Sequence, residues 1–206
     1  MNLHHKMKIA VFVSGGGTNL QALIDCVQNG TISSAEIACV LSNKENAYAL
    51  ERARKAGIPA RAFTENFEEE AILFMRECGV ELIVLAGFLS IIGTKIISQY
   101  KDRIINIHPS LIPSFCGKGY YGLHVHEKVL EYGVKLTGAT VHFVSEEVDG
   151  GVIIQQKSVE VKHDDTPEIL QQRVMEEAEW KILPRAVELV ASGKVKIKGR
   201  MAVISE

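Results

Sequence analysis

The sequence predicts an α/β fold: an open, mostly parallel twisted sheet with helices on both faces and antiparallel additions in the C-terminal half. Three observations carry that prediction. Apolar runs of strand length alternate with short amphipathic helical patterns through the first half of the chain. The first of these runs feeds directly into a Gly-rich turn. After His108 the texture changes to paired strand runs joined by an Asp-Gly-Gly turn, followed by a long helical segment. Strands separated by crossover helices pair in parallel and with right-handed connections, whereas strands joined by a tight turn pair antiparallel.

The elements follow in order. "KIAVFVS" (residues 8–14) is a continuous apolar run, as expected of a strand buried on both faces, and "GGGTN" follows it. Leu20, Leu23, Ile24 and Val27 recur at helical spacing, and Asn29-Gly30 stops that helix. "AEIACVLSN" is the second strand, "AYALERARKAG" a helix ended by Gly57, and "PARAF" a short third strand. "FEEEAILFMRECG" is a helix ended by Gly79, "ELIVLAG" the fourth strand, "TKIISQY" a short helix, and "RIINIH" the fifth strand. "LTGATVHFVSEEVDGGVIIQQKSVEV" holds two strand runs in a hairpin. A single long helix is expected over residues 167–190, with Thr166 as N-cap and Gly193 as stop; "KVKIKGRMAVIS" closes the chain as a small hairpin.

With 206 residues, 47% of them hydrophobic, one domain spanning residues 1–206 is expected. Residues 1–108 form its nucleotide-binding-like half; residues 109–206 supply lids and walls, then the C-terminal helix and hairpin. The net charge of −2, with charges of both signs interspersed, argues against a nucleic-acid partner. Cys26, Cys39, Cys78 and Cys116 are scattered without a C-x-x-C, which fits a reducing cytoplasm. The apolar run after "MNLHHKMK" is too short for a membrane span and lacks a cleavage pattern, so it reads as a core strand and the chain as having no membrane partner.

Gly15, Gly16 and Gly17 stand between a buried strand and a helix start. Glycines let the backbone take unusual conformations and let an anion approach, and free N–H groups at a helix start favour phosphate. Thr18 and Asn19 add side-chain donors; a ligand-free strand–helix turn is the alternative. The dinucleotide fingerprint fails, because Leu20 stands where its third glycine belongs and no acid ends the second strand. The Gly-Lys-Ser/Thr of a triphosphate loop is also absent. A monophosphate remains.

"NIHPS" raises the chemical question. Strand alternation turns Asn106 and His108 to one side, and Pro109 ends the strand at the edge where open α/β sheets bind ligands. A His before Pro is also a common structural cap. Asp149, in the Gly-flanked "VDGG", is either a plain hairpin turn or a carboxylate folded back over the sheet edge. Beside His108 it is expected to favour the imidazolium and raise its pKa, while Asn106 donates to an oxygen that becomes negative. No G-x-S-x-G elbow or H-E-x-x-H occurs, Cys116 reads as a loop thiol, and His124 and His126 sit at a helix start where packing or capping outweighs metal binding. No metal is expected. The fitting chemistry is direct transfer between two bound substrates.

"SGGGTNLQALID", "LAGF", "INIHPSLIPSF", "GATVHFVSEEVDGG" and "ILPRAVELVASGKV" together closely resemble the phosphoribosylglycinamide formyltransferases, a branch of the folate-dependent formyltransferase family, over nearly the whole chain. The resemblance implies a Rossmann-like N-terminal half and transfer of a formyl group from 10-formyltetrahydrofolate, as co-substrate, to the amine of glycinamide ribonucleotide in purine biosynthesis. It implies Asn106, protonated His108 and Asp149 as the catalytic set, with Gly17, Thr18, Asn19 and Glu179 on the ribonucleotide. It places the folate against Phe88, Leu89, Ser90, Ile91 and Ile92, against Asn106, and against Ser145, Glu146, Glu147, Val148 and Asp149. The partners are those two small molecules, for a monomer or a homodimer. Three positions depart from the family pattern: Ser90 replaces a cation, the link from Phe115 to His126 is longer, and Trp180 stands in place of a His.

Overall fold

β1 (Met7–Val13) is buried on both sides, and its alternation is what organises the molecule: Ile9, Val11 and Val13 point into one apolar core, Ala10 and Phe12 into another. A computed structural model describes residues 5–205; residues 1–4, the start of "MNLHHKMK", and residue 206 lie outside the described residues. β1 pairs in parallel with β2 (Ala35–Ser42) on one side and β4 (Leu82–Leu85) on the other. β3 (Ala60–Ala62) extends the sheet beyond β2, and β5 (Ile104–His108) beyond β4, both in parallel. β6 (Leu136–Phe143) and β7 (Ile153–Glu160) then add antiparallel, giving seven strands in the order β3-β2-β1-β4-β5-β6-β7. A separate hairpin, β8 (Val195–Lys198) with β9 (Met201–Ile204), closes the chain.

Helices cover both faces, as the sequence predicts. α1 (Thr18–Gln28), α2 (Tyr48–Lys55), α5 (Leu123–Tyr132), α6 (Pro167–Val174) and α7 (Trp180–Ala191) bury their apolar sides in the first core, through Leu20, Leu50, Val125, Leu170 and Leu183 among others. α3 (Phe67–Glu77) and α4 (Thr94–Gln99) cover the second, through Phe74, Met75 and Ile96. Phe12 in that core meets Phe67 and Phe88 edge-on, at centroid separations of 5.6 and 5.5 Å.

The sequence expectation of one unbroken helix over residues 167–190 is corrected. Thr166 caps α6 as expected, its hydroxyl accepting from the Ile169 N–H. The helix then widens into a π turn at Met175–Glu179 before α7 begins. Pro184 sits inside α7 with no N–H to give the carbonyl one turn back, and the wider turn lies immediately upstream of that gap. The buried positions Leu170, Val174, Ala178 and Ile182 recur at every fourth residue, a spacing that drifts around a regular α-helix and that the wider turn absorbs; the expectation of one unbroken helix did not weigh that drift.

Candidate active site

The chain reverses its direction of sheet growth between β1 and β4, and ligands in open α/β sheets gather where that reversal parts the loops beyond the carboxyl ends. A cavity of about 710 Å³ opens there. Every residue assigned to the site by resemblance lines it: residues 17–19, 88–92 and 145–149, with Asn106, His108 and Glu179.

The glycine loop forms one wall. Gly17 has φ 72° and lies against α2, where a Cβ would come within 2.5 Å of the Ala49 Cβ, so glycine is required there. The loop is pinned by the Ala49 N–H on the Gly15 carbonyl (3.0 Å) and Arg52 Nε on the Gly16 carbonyl (2.8 Å). α1 has no side-chain cap and no acid in its first turn, so its leading N–H groups stay open to an anion. The side chains expected to add donors are engaged elsewhere: Thr18 Oγ1 faces Met175 Sδ at 3.5 Å, and Asn19 Nδ2 donates to Glu179 Oε2 at 2.6 Å. The cradle is therefore built of backbone. Burial pushes the Glu179 carboxyl up to about 7 against the opposing Asn19 bond, and the π turn brings Glu179 and Met175 together onto the cavity.

The opposite wall is apolar. Leu89, Ile91 and, from the β6–β7 turn, Val148 all line the cavity while exposed to solvent, a set of solvent-accessible hydrophobes suited to a flat ring. The wall is held to the sheet through Ser14 Oγ, which accepts from the Leu89 N–H (2.9 Å) and donates to Asn43 Oδ1 (2.7 Å); Asn43 Nδ2 donates on to Ser90 Oγ (2.6 Å). Ser90, read from the sequence as replacing the family's cation, is thus bonded into the support of this wall.

Between the walls, β5 and β6 pair so that Asn106 opposes His142 and His108 opposes Thr140. His142 Nδ1 donates to its neighbour's carbonyl, Phe143 O (2.8 Å), since a carbonyl only accepts. Its Nε2 then takes a hydrogen from Asn106 Nδ2 (3.1 Å), leaving the second amide hydrogen of Asn106 for a ligand. His108 Nε2 likewise donates to the Phe115 carbonyl (2.9 Å). Asp149 lies between the two rings, 3.6 Å from His108 Nδ1 and 3.6 Å from His142 Nε2, and accepts from the Gly117 N–H at 2.8 Å. The turn is built for this: Asp149 adopts φ 57°, and a Cβ on Gly151 would fall 1.7 Å from the Phe143 carbonyl oxygen. Sequence reading overlooked His142, the Phe115 carbonyl and the Gly117 N–H. For His142 the signal was present as alternation in "TVHFV", but its partner depends on a strand register the sequence does not encode.

The expected rise in the His108 pKa is overturned. Burial lowers it, and this outweighs the opposing pull of Asp149 and the Phe115 bond, with His142 adding a smaller lowering. Asp149 stays below its ordinary value although burial works against it: a proton taken up on His142 or His108 would sit at the nitrogen facing it, and the Gly117 N–H already donates to it. The site at rest is a carboxylate between two buried imidazoles, with His108 favouring its neutral form.

His126 packs beneath this group, fully buried, with neither ring nitrogen partnered. His124, two residues earlier on the helix, instead bonds Glu127 at the surface, so the pair does not converge on one point. Burial and the nearby His108 depress the His126 pKa to about 4. The unfolded chain therefore takes up that proton first as the pH falls below 6.5, and stability present above that value is lost down to about 4. His126→Leu is expected to lose less melting temperature than the unmodified chain across that window. Parallel decline of the two proteins would place the acid sensitivity elsewhere.

The formyl transferase family profile matches residues 7–187 of this chain. The chain belongs to the formyl transferase family. Among its relatives is the phosphoribosylglycinamide formyltransferase of Haemophilus influenzae, 40% identical over 204 residues that cover 96% of this chain and 93% of that protein. The trifunctional purine biosynthetic protein adenosine-3 of Gallus gallus is 46% identical over 94% of this chain, but the chain spans only 19% of that protein's length. Among solved formyl transferases, the crystal structure of glycinamide ribonucleotide transformylase 1 from Symbiobacterium toebii superimposes with a TM-score of 0.92, at 39% identity, covering 100% of this chain and 99% of that one.

Proposed function

We propose that this formyl transferase moves the formyl group of 10-formyltetrahydrofolate to the amine of glycinamide ribonucleotide, giving the N-formyl product and tetrahydrofolate. One observation carries the reading: Asn106, His108 and Asp149 meet at the sheet rim between an N–H-lined anion cradle and an apolar slot. The relatives matched over nearly their full length carry names for this activity, which supports it.

In the proposed reaction the cradle of residues 15–19 holds the phosphate, and Glu179, with a carboxyl near neutrality, exchanges hydrogen bonds with ribose hydroxyls. The exposed wall of Leu89, Ile91 and Val148 takes the folate ring, whose polar edge meets the backbone of residues 145–149. The amine attacks the formyl carbon. Asn106 turns its free amide hydrogen, and His108 the Nε2 hydrogen now given to Phe115, toward the oxygen that becomes negative. The new C–N bond forms, the bond from the formyl carbon to the folate nitrogen breaks, and the amine's proton passes through the His108–Asp149 pair to that leaving nitrogen. Neutral His108 is suited to accept that proton, and Asp149 stabilises the imidazolium it becomes.

Formyl-folate consumption followed with and without glycinamide ribonucleotide tests the reading. Turnover dependent on the ribonucleotide is expected; rapid hydrolysis indifferent to it would overturn the assignment. Asn19→Ala is expected to weaken ribonucleotide binding by about tenfold, because it strips the one partner from a buried carboxyl. An unaltered dissociation constant by calorimetry would remove the Asn19–Glu179 pair from the ribonucleotide site.

Four free cysteines and the lack, among the described residues, of any helix long and apolar enough to cross a membrane are compatible with the proposed cytoplasmic setting.

A further inference from the structure

The charges around the cavity are oddly matched to its ligands. Among the described residues lining it stand four carboxylates, those of Glu146, Glu147, Asp149 and Glu179, and a single lysine or arginine, Lys118. A phosphate ester entering such a space meets N–H dipoles in the cradle but acquires repulsion from the acids. Among the lining residues one cation is available to offset it; Arg52, committed to the Gly16 carbonyl and to Gln21, is outside the lining.

Lys118 is placed to be that cation. It follows Gly117 in a tight turn closed by the Tyr120 N–H on the Gly117 carbonyl (3.1 Å), and the Gly117 N–H anchors the turn on Asp149. Both neighbours, Gly117 (φ 88°) and Gly119 (φ 96°), hold positive φ, so the turn projects the intervening side chain from a root fixed at the catalytic carboxylate. Lys95 and Lys128 are paired at the surface with Glu69 and Glu131. Lys118 is exposed and has no such partner among the described residues.

The packing decides which ligand it serves. Phe115 and Tyr120, on either side of Lys118, rest on the core that also carries α1, α2 and α6, and Gly17 of the cradle packs on Ala49 of that same core. Phe88, Ile92 and Val144 of the apolar wall belong to the core on the other face of the sheet. The Lys118 turn is therefore on the cradle's side of the rim. We propose that Lys118 closes over the phosphate of the ribonucleotide, and that this contact sets the preference for a phosphorylated substrate. A compact ammonium on a flexible stem suits a point contact to phosphate. The proposal rests on the formyl-transfer reading for the identity of the phosphorylated substrate.

Steady-state kinetics of Lys118→Met, Lys118→Arg and the control Lys157→Met, on the edge strand β7 outside the cavity, test it. Lys118→Met is expected to raise the KM for glycinamide ribonucleotide about fivefold while leaving kcat and the formyl-folate KM within about twofold, as loss of uniform binding by an exposed ion pair requires. Lys118→Arg retains most of the affinity, and Lys157→Met behaves as the unmodified protein. Inorganic phosphate, titrated by calorimetry, binds more weakly to Lys118→Met in the same proportion. An unchanged ribonucleotide KM and phosphate affinity, or an effect confined to the formyl-folate KM, overturns the role given to Lys118. Failure of the unmodified protein to use the ribonucleotide sinks the formyl-transfer reading instead, and phosphate calorimetry still decides Lys118.

Discussion

His108→Ala lowers kcat by about 10²-fold or more, with the KM for glycinamide ribonucleotide held within about threefold. The expectation follows from position. His108 is buried at the end of β5 and not part of the glycine loop proposed to hold the phosphate, and in the proposed reaction its ring hydrogen, now on the Phe115 carbonyl, turns to the reacting oxygen as charge develops there. An interaction stronger in the transition state than in the bound substrate appears in kcat. The variant also loses the bond to the Phe115 carbonyl, so its melting temperature is measured alongside; a folded protein with undiminished kcat would remove His108 from the chemistry.

Asp149→Asn is the second large effect, and the substitution is unusually clean. Asparagine tolerates the positive φ of this turn and still offers an oxygen to the Gly117 N–H, so charge is the chief thing removed. Turnover is expected to fall at least about tenfold, because the imidazolium formed during proton transfer loses its counter-ion. The sign of the accompanying titration is also fixed. Burial lowers the His108 pKa and Asp149 opposes it, so removing the carboxylate leaves burial less opposed and the pKa drops further below 6.5. An NMR titration of the His108 ring reads this directly. A His108 pKa that rises or stays in place in Asp149→Asn would show that the 3.6 Å separation carries no useful coupling.

Much of the fold was legible because its signals are local. Continuous apolar runs in β1 and β4, the Gly stops after α2 and α3, and the "VDGG" turn each report the conformation of the residues that carry them. The cradle was legible for the same reason, since three glycines between a buried strand and a helix constrain their own backbone. The π turn was not read, because the four-residue spacing of Leu170, Val174, Ala178 and Ile182 is also allowed within an α-helical apolar stripe over any one turn, and the drift accumulates only over several. Nor was the commitment of Asn19 to Glu179, 160 positions away along the chain.

The sequence by itself determined a mostly parallel sheet, a glycine loop between its first strand and first helix, and an amide and imidazole at a strand's carboxyl end, because strand alternation and glycine conformation are properties of neighbouring residues. Only the tertiary structure decided that His142 stands between Asn106 and Asp149, that burial outweighs the carboxylate in setting the charge of His108, and that the two walls of the cavity rest on cores on opposite faces of the sheet. Cross-strand register and solvent exclusion arise from surfaces that meet only once the chain has folded, and no short window of residues contains them.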